Sequence, residues 1–325
     1  MENDGQTEEK LTSIHPRKEI AGKVVIVTGA SSGIGEATAR EFARAGAAVI
    51  LAARRAHLLE QLAEEIQAAG GIARPVPTDL TDLTQITNLV KVTLDEFGRI
   101  DVLANIAGWG RYDWFEELSA EDLRKQYEVN VIGLAELIRQ VLPAMKEQRS
   151  GHILNMSSYA SKIAVPPLTV YASTKYAVEG LTDALRRELK PWGILVSRIH
   201  PSGVKGTEFN QRAGQQGGIR YRSVPIGRVT REQVAREIVD LVEKPQRAVY
   251  LSRIYDIPVL LNMLLPGLVD RFSSLWVRLK RSKEQPGDEP DQAARVSYGA
   301  MLNVPQIIVL AFSAALVLLI LRRKS

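Results

Sequence analysis

Short apolar runs and longer amphipathic stretches alternate along the chain from Gly22 to about residue 252, and this alternation predicts the elements. Lys23–Val27 is an apolar β-branched run that leads into a glycine-rich turn at Gly29–Gly35. A helix over Glu36–Ala45, a strand at Ala48–Ala52, a helix over Leu58–Ala69 and a strand at Ile72–Val76 follow. Asp101–Asn105 and Gly151–Ser157 read as strands flanking one or two helices within Ser119–Met145, with Ser119 a candidate cap. Thr169–Lys190 reads as a long helix, Ile194–Ile199 as a strand, Arg231–Val242 as a helix and Ala248–Leu251 as a last short strand. Strands separated by helices of ten or more residues pair in parallel and are covered on both faces. The predicted fold class is therefore α/β, a doubly wound parallel sheet of about seven strands in one domain over residues 21–255.

The flanks have a different pattern. Residues 1–20 are polar, lack the apolar core of an export signal and read as a flexible arm. Residues 256–280 are rich in Leu and Val but interrupted by Asn262, Pro266, Asp270 and Arg271, which suits an amphipathic helix at an interface better than a bilayer crossing. A polar linker with two prolines, 281–303, leads to 304–321, where the stretch from Ile307 carries no charge. Eighteen residues at a rise of about 1.5 Å each reach about 27 Å, close to a hydrocarbon core, so 304–321 is expected to be a transmembrane helix. A buried core helix is the alternative; the linker before it and Arg322, Arg323 and Lys324 after it favour the anchor.

Composition narrows the chemistry. With 45% hydrophobic and 24% charged residues the chain has the make-up of a globular protein. It has no cysteine, which excludes a disulfide scaffold, a thiol nucleophile and a thiolate metal site. Its four histidines are scattered without ligand spacing, so no metal is expected. The net charge of +5 is concentrated in part at Arg271, Arg278, Lys280, Arg281 and Lys283, beside the apolar segments, where anionic membrane lipid would attract it. No basic stripe interleaved with aromatics points to nucleic acid.

The turn Thr28-Gly29-Ala30-Ser31-Ser32-Gly33-Ile34-Gly35 joins a strand to a helix. Glycines there let the backbone approach a pyrophosphate, whose charge is stabilised by the free N–H groups of the helix start. The spacing Gly-x3-Gly-x-Gly resembles the short-chain dehydrogenase/reductase (SDR) family, and further segments match in order. Asn105-Ile106-Ala107-Gly108 is similar to the family's Asn-Asn-Ala-Gly, and Asn130 sits where the family keeps an Asn. Ser158, then Tyr171, then Lys175 four residues later, resembles its catalytic set. Each of these residues alone also has an ordinary structural reading; the constellation is what is specific. The resemblance covers about residues 21–252 and implies a Rossmann-like fold.

It also implies roles. Tyr171 would be the acid/base, Ser158 would hydrogen-bond the substrate oxygen, Lys175 would hold the nicotinamide ribose, and Asn130 would bind a water feeding protons to Lys175. Tyr171 and Lys175 at i and i+4 share a helical face, so the ammonium is expected to bring the phenol below its usual pKa near 10. Cofactor contacts are expected from Thr28, Gly29, Ser31, Ser32, Gly33, Ile34, Gly35, Asn105, Ala107 and Gly108. Asp79 and Leu80 resemble an adenine-contacting pair. Pro201, Val204 and Thr207 lie in the counterpart of the Pro-Gly segment, with Ser202 replacing a glycine.

The chain after the second strand reads Ala52-Ala53-Arg54-Arg55. An acid there would bind the 2′-hydroxyl of NAD, whereas an arginine pairs with the 2′-phosphate of NADP, so NADP(H) is preferred over NAD(H). The alternative is that both arginines are surface charges. Glu208–Gly227 fits a lid; its Arg212, Arg220 and Arg222 either meet an anionic group or are solvated. Trp109, Tyr112 and Trp114 either wall an apolar pocket or pack elsewhere.

These observations give a membrane-anchored, NADP(H)-dependent oxidoreductase acting on a lipophilic carbonyl or secondary alcohol such as a 3-oxoacyl, sterol or retinoid-like compound. The rivals are an NAD-dependent alcohol dehydrogenase working oxidatively and a non-catalytic NADP-binding scaffold or sensor. Intracellular NADPH places the catalytic domain on the cytoplasmic side, in tension with the cationic C-terminus that a single crossing would put opposite. The resemblance also favours a homodimer or homotetramer through the 130–147 and 169–190 helices.

Overall fold

The computed structural model describes residues 13–209, 213 and 227–281. Seven strands form one parallel sheet, β1 (Val24–Thr28), β2 (Ala48–Ala53), β3 (Ile72–Pro77), β4 (Val102–Asn105), β5 (Gly151–Met156), β6 (Ile194–His200) and β9 (Ala248–Tyr250). Their order is β3-β2-β1-β4-β5-β6-β9, and β7 (Val204–Lys205) and β8 (Val229–Thr230) make a separate two-stranded piece. The chain reverses its direction of winding between β1 and β4, and ligands of such sheets bind outside the carboxyl ends of the strands at that switch.

Alternating side chains along β1 go to opposite faces. Val25 and Val27 join Phe42, Leu59 and Ile238 in one core layer; Val24 and Ile26 join Leu89, Leu137 and Val178 in the other. The first layer is covered by α1 (Gly33–Arg44), α2 (Ala56–Ala68) and α7 (Arg231–Glu243), and the second by α3 (Leu83–Phe97), α5 (Gly133–Gln148) and α6 (Thr169–Glu188).

The hydrophobic pattern misses α3, whose ends are nevertheless marked. The Asp82 side chain accepts from the Thr84 and Gln85 amides, and Gly98 closes the helix at φ 69°. The stretch expected over Ser119–Met145 is α4 (Ala120–Tyr127), a single π-helical turn Glu128–Ile132, and α5. The wide turn carries the buried Asn130.

Part of the expected flexible arm is packed. Residues 1–12 lie outside the described residues, but the His15 amide donates to the Arg44 carbonyl at 2.7 Å and Ile20 is fully buried. Arg17 pairs with Asp240 at 2.6 Å and with Glu243, tying this segment to α7.

The expected single amphipathic segment at 256–280 is two helices, α8 (Asp256–Leu264) and α9 (Pro266–Arg281), broken where Pro266 has no N–H to donate. Val269 is buried and packs with Tyr112, Val165, Leu168 and Tyr171. The Trp276 ring packs at a tilt against Trp114, centroids 6.2 Å apart, and the Arg281 guanidinium lies 4.5 Å over the Trp114 ring while bonding Glu116. Among the described residues no helix is long and apolar enough to cross a membrane. The linker beyond Arg281 and the expected helix at 304–321 lie outside them.

Candidate active site

A cleft of about 840 Å³ opens at the carboxyl ends of β1, β2, β4 and β5. Gly29, Ser31, Ser32, Gly33, Ile34, Gly35, Arg54, Arg55, Asp79, Leu80, Ala107, Gly108, Ser158, Tyr171, Lys175, Pro201, Val204 and Thr207 line it. Three predicted residues stand behind its wall. Thr28 Oγ1 accepts from the Ile106 and Ala107 amides at 2.9 and 3.0 Å and so joins the ends of β1 and β4. Asn105 donates to Asn155 at 2.9 Å inside the sheet. The third, Asn130, is buried in the π turn.

The turn after β1 is built for close approach. Gly29 and Gly33 have φ of 71° and 60°, a region costly for side chains, and a Cβ at Gly35 would lie 2.2 Å from the Gly29 carbonyl oxygen. Ser32 provides no side-chain cap to α1. The first amides of that helix are thus left for a ligand, and they favour an anion. Arg54 is exposed on the cleft wall. Arg55 donates to the Ser31 hydroxyl and carbonyl at 3.1 Å and pairs with Glu208 at 3.7 Å. This cradle of glycines, free helix amides and arginines fits a nicotinamide dinucleotide. The Asp79 carboxylate is engaged with Thr81 of its own turn, at 3.0 Å to the amide and 2.9 Å to the hydroxyl.

Ser158, Tyr171 and Lys175 meet at the other end of the cleft. Burial pushes the Tyr171 phenol up to about 12, with the nearby Ser158 hydroxyl working against the shift. Lys175, also buried, is pulled down to about 8, and its Nζ donates to the Met156 carbonyl at 3.0 Å. Nζ lies 5.7 Å from the centre of the Tyr171 ring. The expectation that Lys175 draws the Tyr171 phenol below 10 is therefore corrected: loss of hydration penalises both charged forms and moves the phenol upward. Asn130 gives its side chain to the wall. It accepts from the Trp109 amide at 2.8 Å and donates to the Trp109 carbonyl at 2.7 Å and to Thr174 at 3.1 Å. Asn130 thereby ties the loop after β4, at Trp109, to α6.

Behind Ser158 lies a charge cluster that spacing did not reveal. Glu179 accepts from Ser157 at 2.7 Å, Lys162 at 2.6 Å and His200, and pairs with Arg198 at 3.3 Å. Burial alone would raise the Glu179 carboxyl, but bonds from His200, Lys162 and Ser157 hold it well below the usual range. Burial lowers the His200 imidazole's pKa despite the pull of Glu179, and its unpartnered Nδ1 agrees with an Nε2–H donated to Glu179. Ser161, which also reaches Glu179, donates to the Ser158 carbonyl at 2.6 Å. The cluster thus clamps both the Ser158 loop and the end of β6 that carries Pro201.

The substrate side is apolar. Tyr112 and Phe209 pack against the Tyr171 ring at centroid distances of 5.9 and 5.6 Å, and Ile163, Val165 and Leu168 continue the wall. Trp109 and Tyr112 line the cleft; Trp114 turns instead to α9. Tyr255, the last residue of the expected domain, and Pro258, from the segment that the sequence pattern set apart, complete the lining. Only the ends of the expected lid, up to Phe209 and from Gly227, are described along with Ala213, and Arg212, Arg220 and Arg222 lie outside the described residues.

A dinucleotide cradle facing a Ser–Tyr–Lys set, its Tyr and Lys buried, at the switch point of a parallel sheet defines a nicotinamide-dependent oxidoreductase. Residues 23–217 match the short chain dehydrogenase family, and the chain belongs to it. It is 32% identical over 283 residues to dehydrogenase/reductase SDR family member 7B of Mus musculus, covering 84% of this chain and 87% of that protein. With the glycine betaine reductase of Emericella nidulans it shares 34% identity over 233 residues, 71% of this chain but 18% of that protein. Among solved structures, a short chain dehydrogenase/reductase from Burkholderia phymatum in complex with NAD superposes with a TM-score of 0.72 at 27% identity, covering 78% of this chain and 96% of that one. A metagenomic short-chain oxidoreductase in complex with NADP gives 0.60 at 30% identity, over 71% and 97%. The protein is an NAD(P)-dependent oxidoreductase acting between CH–OH and C=O.

Proposed function

We propose that this enzyme uses NADP(H) to interconvert a lipophilic carbonyl compound and its secondary alcohol, with Tyr171 as acid/base. The observation carrying the cofactor choice is the end of β2, where no carboxylate follows Ala53 and Arg54 stands exposed at the cleft. A 2′-phosphate finds a cation there, while a ribose 2′-hydroxyl finds no acceptor. The apolar wall of Tyr112, Ile163, Val165, Leu168 and Phe209 supports a lipophilic substrate.

When bound, the nicotinamide supplies or accepts hydride. In reduction the Tyr171 hydroxyl donates its proton to the substrate oxygen, and the Ser158 hydroxyl donates a hydrogen bond to the same atom as charge develops. The Lys175 ammonium beside the ring then stabilises the phenolate, so the two charges exist together rather than singly in a dry site. The 304–321 segment anchors the chain, with the catalytic domain on the cytoplasmic side; its uncharged run from Ile307 supports this. Ile132 and Tyr176, both exposed, support self-association through the helices that carry them.

The test is oxidation of NADPH and NADH by detergent-solubilised protein against ketones of increasing chain length, beside Arg54→Asp and Tyr171→Phe. Preference for NADPH that reverses in Arg54→Asp, with turnover rising with chain length and lost in Tyr171→Phe, is the expected result. Equal use of NADH, or better turnover of short ketones, refutes the cofactor or the substrate assignment respectively. Tight NADPH binding with no turnover of any ketone would favour the sensor reading.

A further inference from the structure

Seven of the seventeen large apolar side chains exposed among the described residues fall between Ile257 and Leu275. On α8 they are Ile257, Leu260, Met263 and Leu264, spaced at three and four residues and so on one face, with Leu265 at the break. Leu268 and Leu275, seven residues apart, are also exposed and share one face of α9. The opposite side of the same two helices is already occupied. Pro258 lines the cleft, and Val269, Leu261 and Trp276 pack into the cluster around Tyr112 and Tyr171. α8 is therefore apolar nearly all round: one side belongs to the substrate side of the active site, and the other needs an apolar medium of its own.

The composition around the patch says what the other medium is. Arg253, Arg271 and Arg278 are exposed beside it, against two exposed carboxylates, Asp256 and Asp270. Arginine at the rim of an apolar surface suits anionic headgroups above hydrocarbon. The chain beyond Arg281 argues the same way. Residues 282–303 are largely polar, and a chain of that length reaches at most about 75 Å when fully extended. They are followed by the uncharged run from Ile307, so a bilayer that takes up that run lies within reach of α8 and α9.

We infer that α8 and the start of α9 lie on the bilayer surface, with Ile257, Leu260, Met263, Leu264 and Leu265 below the headgroups. The active-site cleft then takes its lipophilic substrate from the membrane rather than from water. This rests on the lipophilic, membrane-anchored reading above, and it adds a surface and a route.

The chain has no cysteine, so one introduced at Met263 labels alone. Full-length Met263→Cys carrying an environment-sensitive fluorophore is reconstituted in vesicles of phosphatidylcholine with one-third phosphatidylglycerol. Lys91→Cys on α3, labelled identically, is the exposed control. The expected result is a blue-shifted emission at 263 and quenching by a lipid-borne quencher at least twofold greater than at 91. Equal quenching at the two positions overturns the inference. So does a blue shift that is already present in detergent and grows with protein concentration, which would mean a second copy covers the face.

A second arm uses Met263→Asp/Leu264→Asp. A long-chain ketone delivered in vesicles is expected to lose about tenfold in kcat/KM while a water-soluble short ketone is unchanged; an equal effect on both overturns the route. If the unsubstituted enzyme turns over neither ketone, the proposed substrate class fails, and the fluorescence result still decides the surface.

Discussion

Replacing Lys175 by Met exchanges a buried ammonium for a thioether on a similar unbranched stem. Lys175 is almost wholly buried and titrates near 8 in the fold, against 10.5 for an unburied lysine. The sign follows from proton counting. Between those two values the unfolded chain binds the proton and the folded one does not, so folding gains stability as pH rises through the window. Below pH 8 both states are protonated and the folded state carries the full cost, about 3 kcal/mol from about 1.4 kcal/mol per pKa unit. At pH 10 the remaining cost is about 1 kcal/mol. The hydrogen bond from Nζ to the Met156 carbonyl offsets part of this, by about 1 kcal/mol. Lys175→Met should therefore be inactive yet more stable than the unsubstituted protein at pH 7, by about 2 kcal/mol, and the gain should shrink by a similar amount at pH 10. Urea denaturation of both proteins at pH 7 and pH 10, without cofactor, measures it. A variant less stable at pH 7, or a difference that does not change with pH, would refute the reasoning.

The same two groups set the rate profile. Tyr171 stays protonated through pH 10, so kcat/KM for reduction should be level from pH 6 to 7 and fall tenfold per unit above about 8 as Lys175 loses its charge; a profile level to pH 9 would contradict this. Gly35→Ala puts a Cβ against the Gly29 carbonyl and should weaken NADPH binding by more than about tenfold, read by fluorescence titration. Glu179→Gln leaves Lys162 and Arg198 without their shared counter-charge; a loss of about 2–3 kcal/mol is expected in denaturation, and an unchanged midpoint would show that the cluster is not structural.

Much of the sheet was legible because buried parallel strands are continuous apolar runs, and all seven appear within a residue or so of where the pattern puts them. Helix α3 escaped because its Thr-, Gln- and Asn-rich surface blurs the 3.6-residue period, although Asp82 and Gly98 marked its ends. At the site, the family resemblance singled out Ser158, Tyr171 and Lys175, and the fold brings all three to one cleft. Their titration was not legible, because four-residue spacing shows that two groups are near each other and says nothing of the water they have lost. Asn130 was found by position, while the bonds that hold it belong to Trp109 and Thr174, residues distant in sequence. Tyr255 and Pro258 left no local mark at all: their place on the cleft comes from how the segment after Arg253 packs on the cluster around Tyr112 and Tyr171.

The placement of those last two residues has an evolutionary consequence. The match to the family ends at residue 217, whereas part of the outer wall of the cleft comes from the segment around 255–258. Tyr112, Ile163, Val165, Leu168 and Phe209 supply the rest of the apolar wall from within the match, so one part of that wall can vary apart from the stretch that carries Ser158, Tyr171 and Lys175. Exchanging residues 253–281 between relatives is a direct route to a new preference, since it leaves Ser158, Tyr171, Lys175 and the nucleotide cradle untouched.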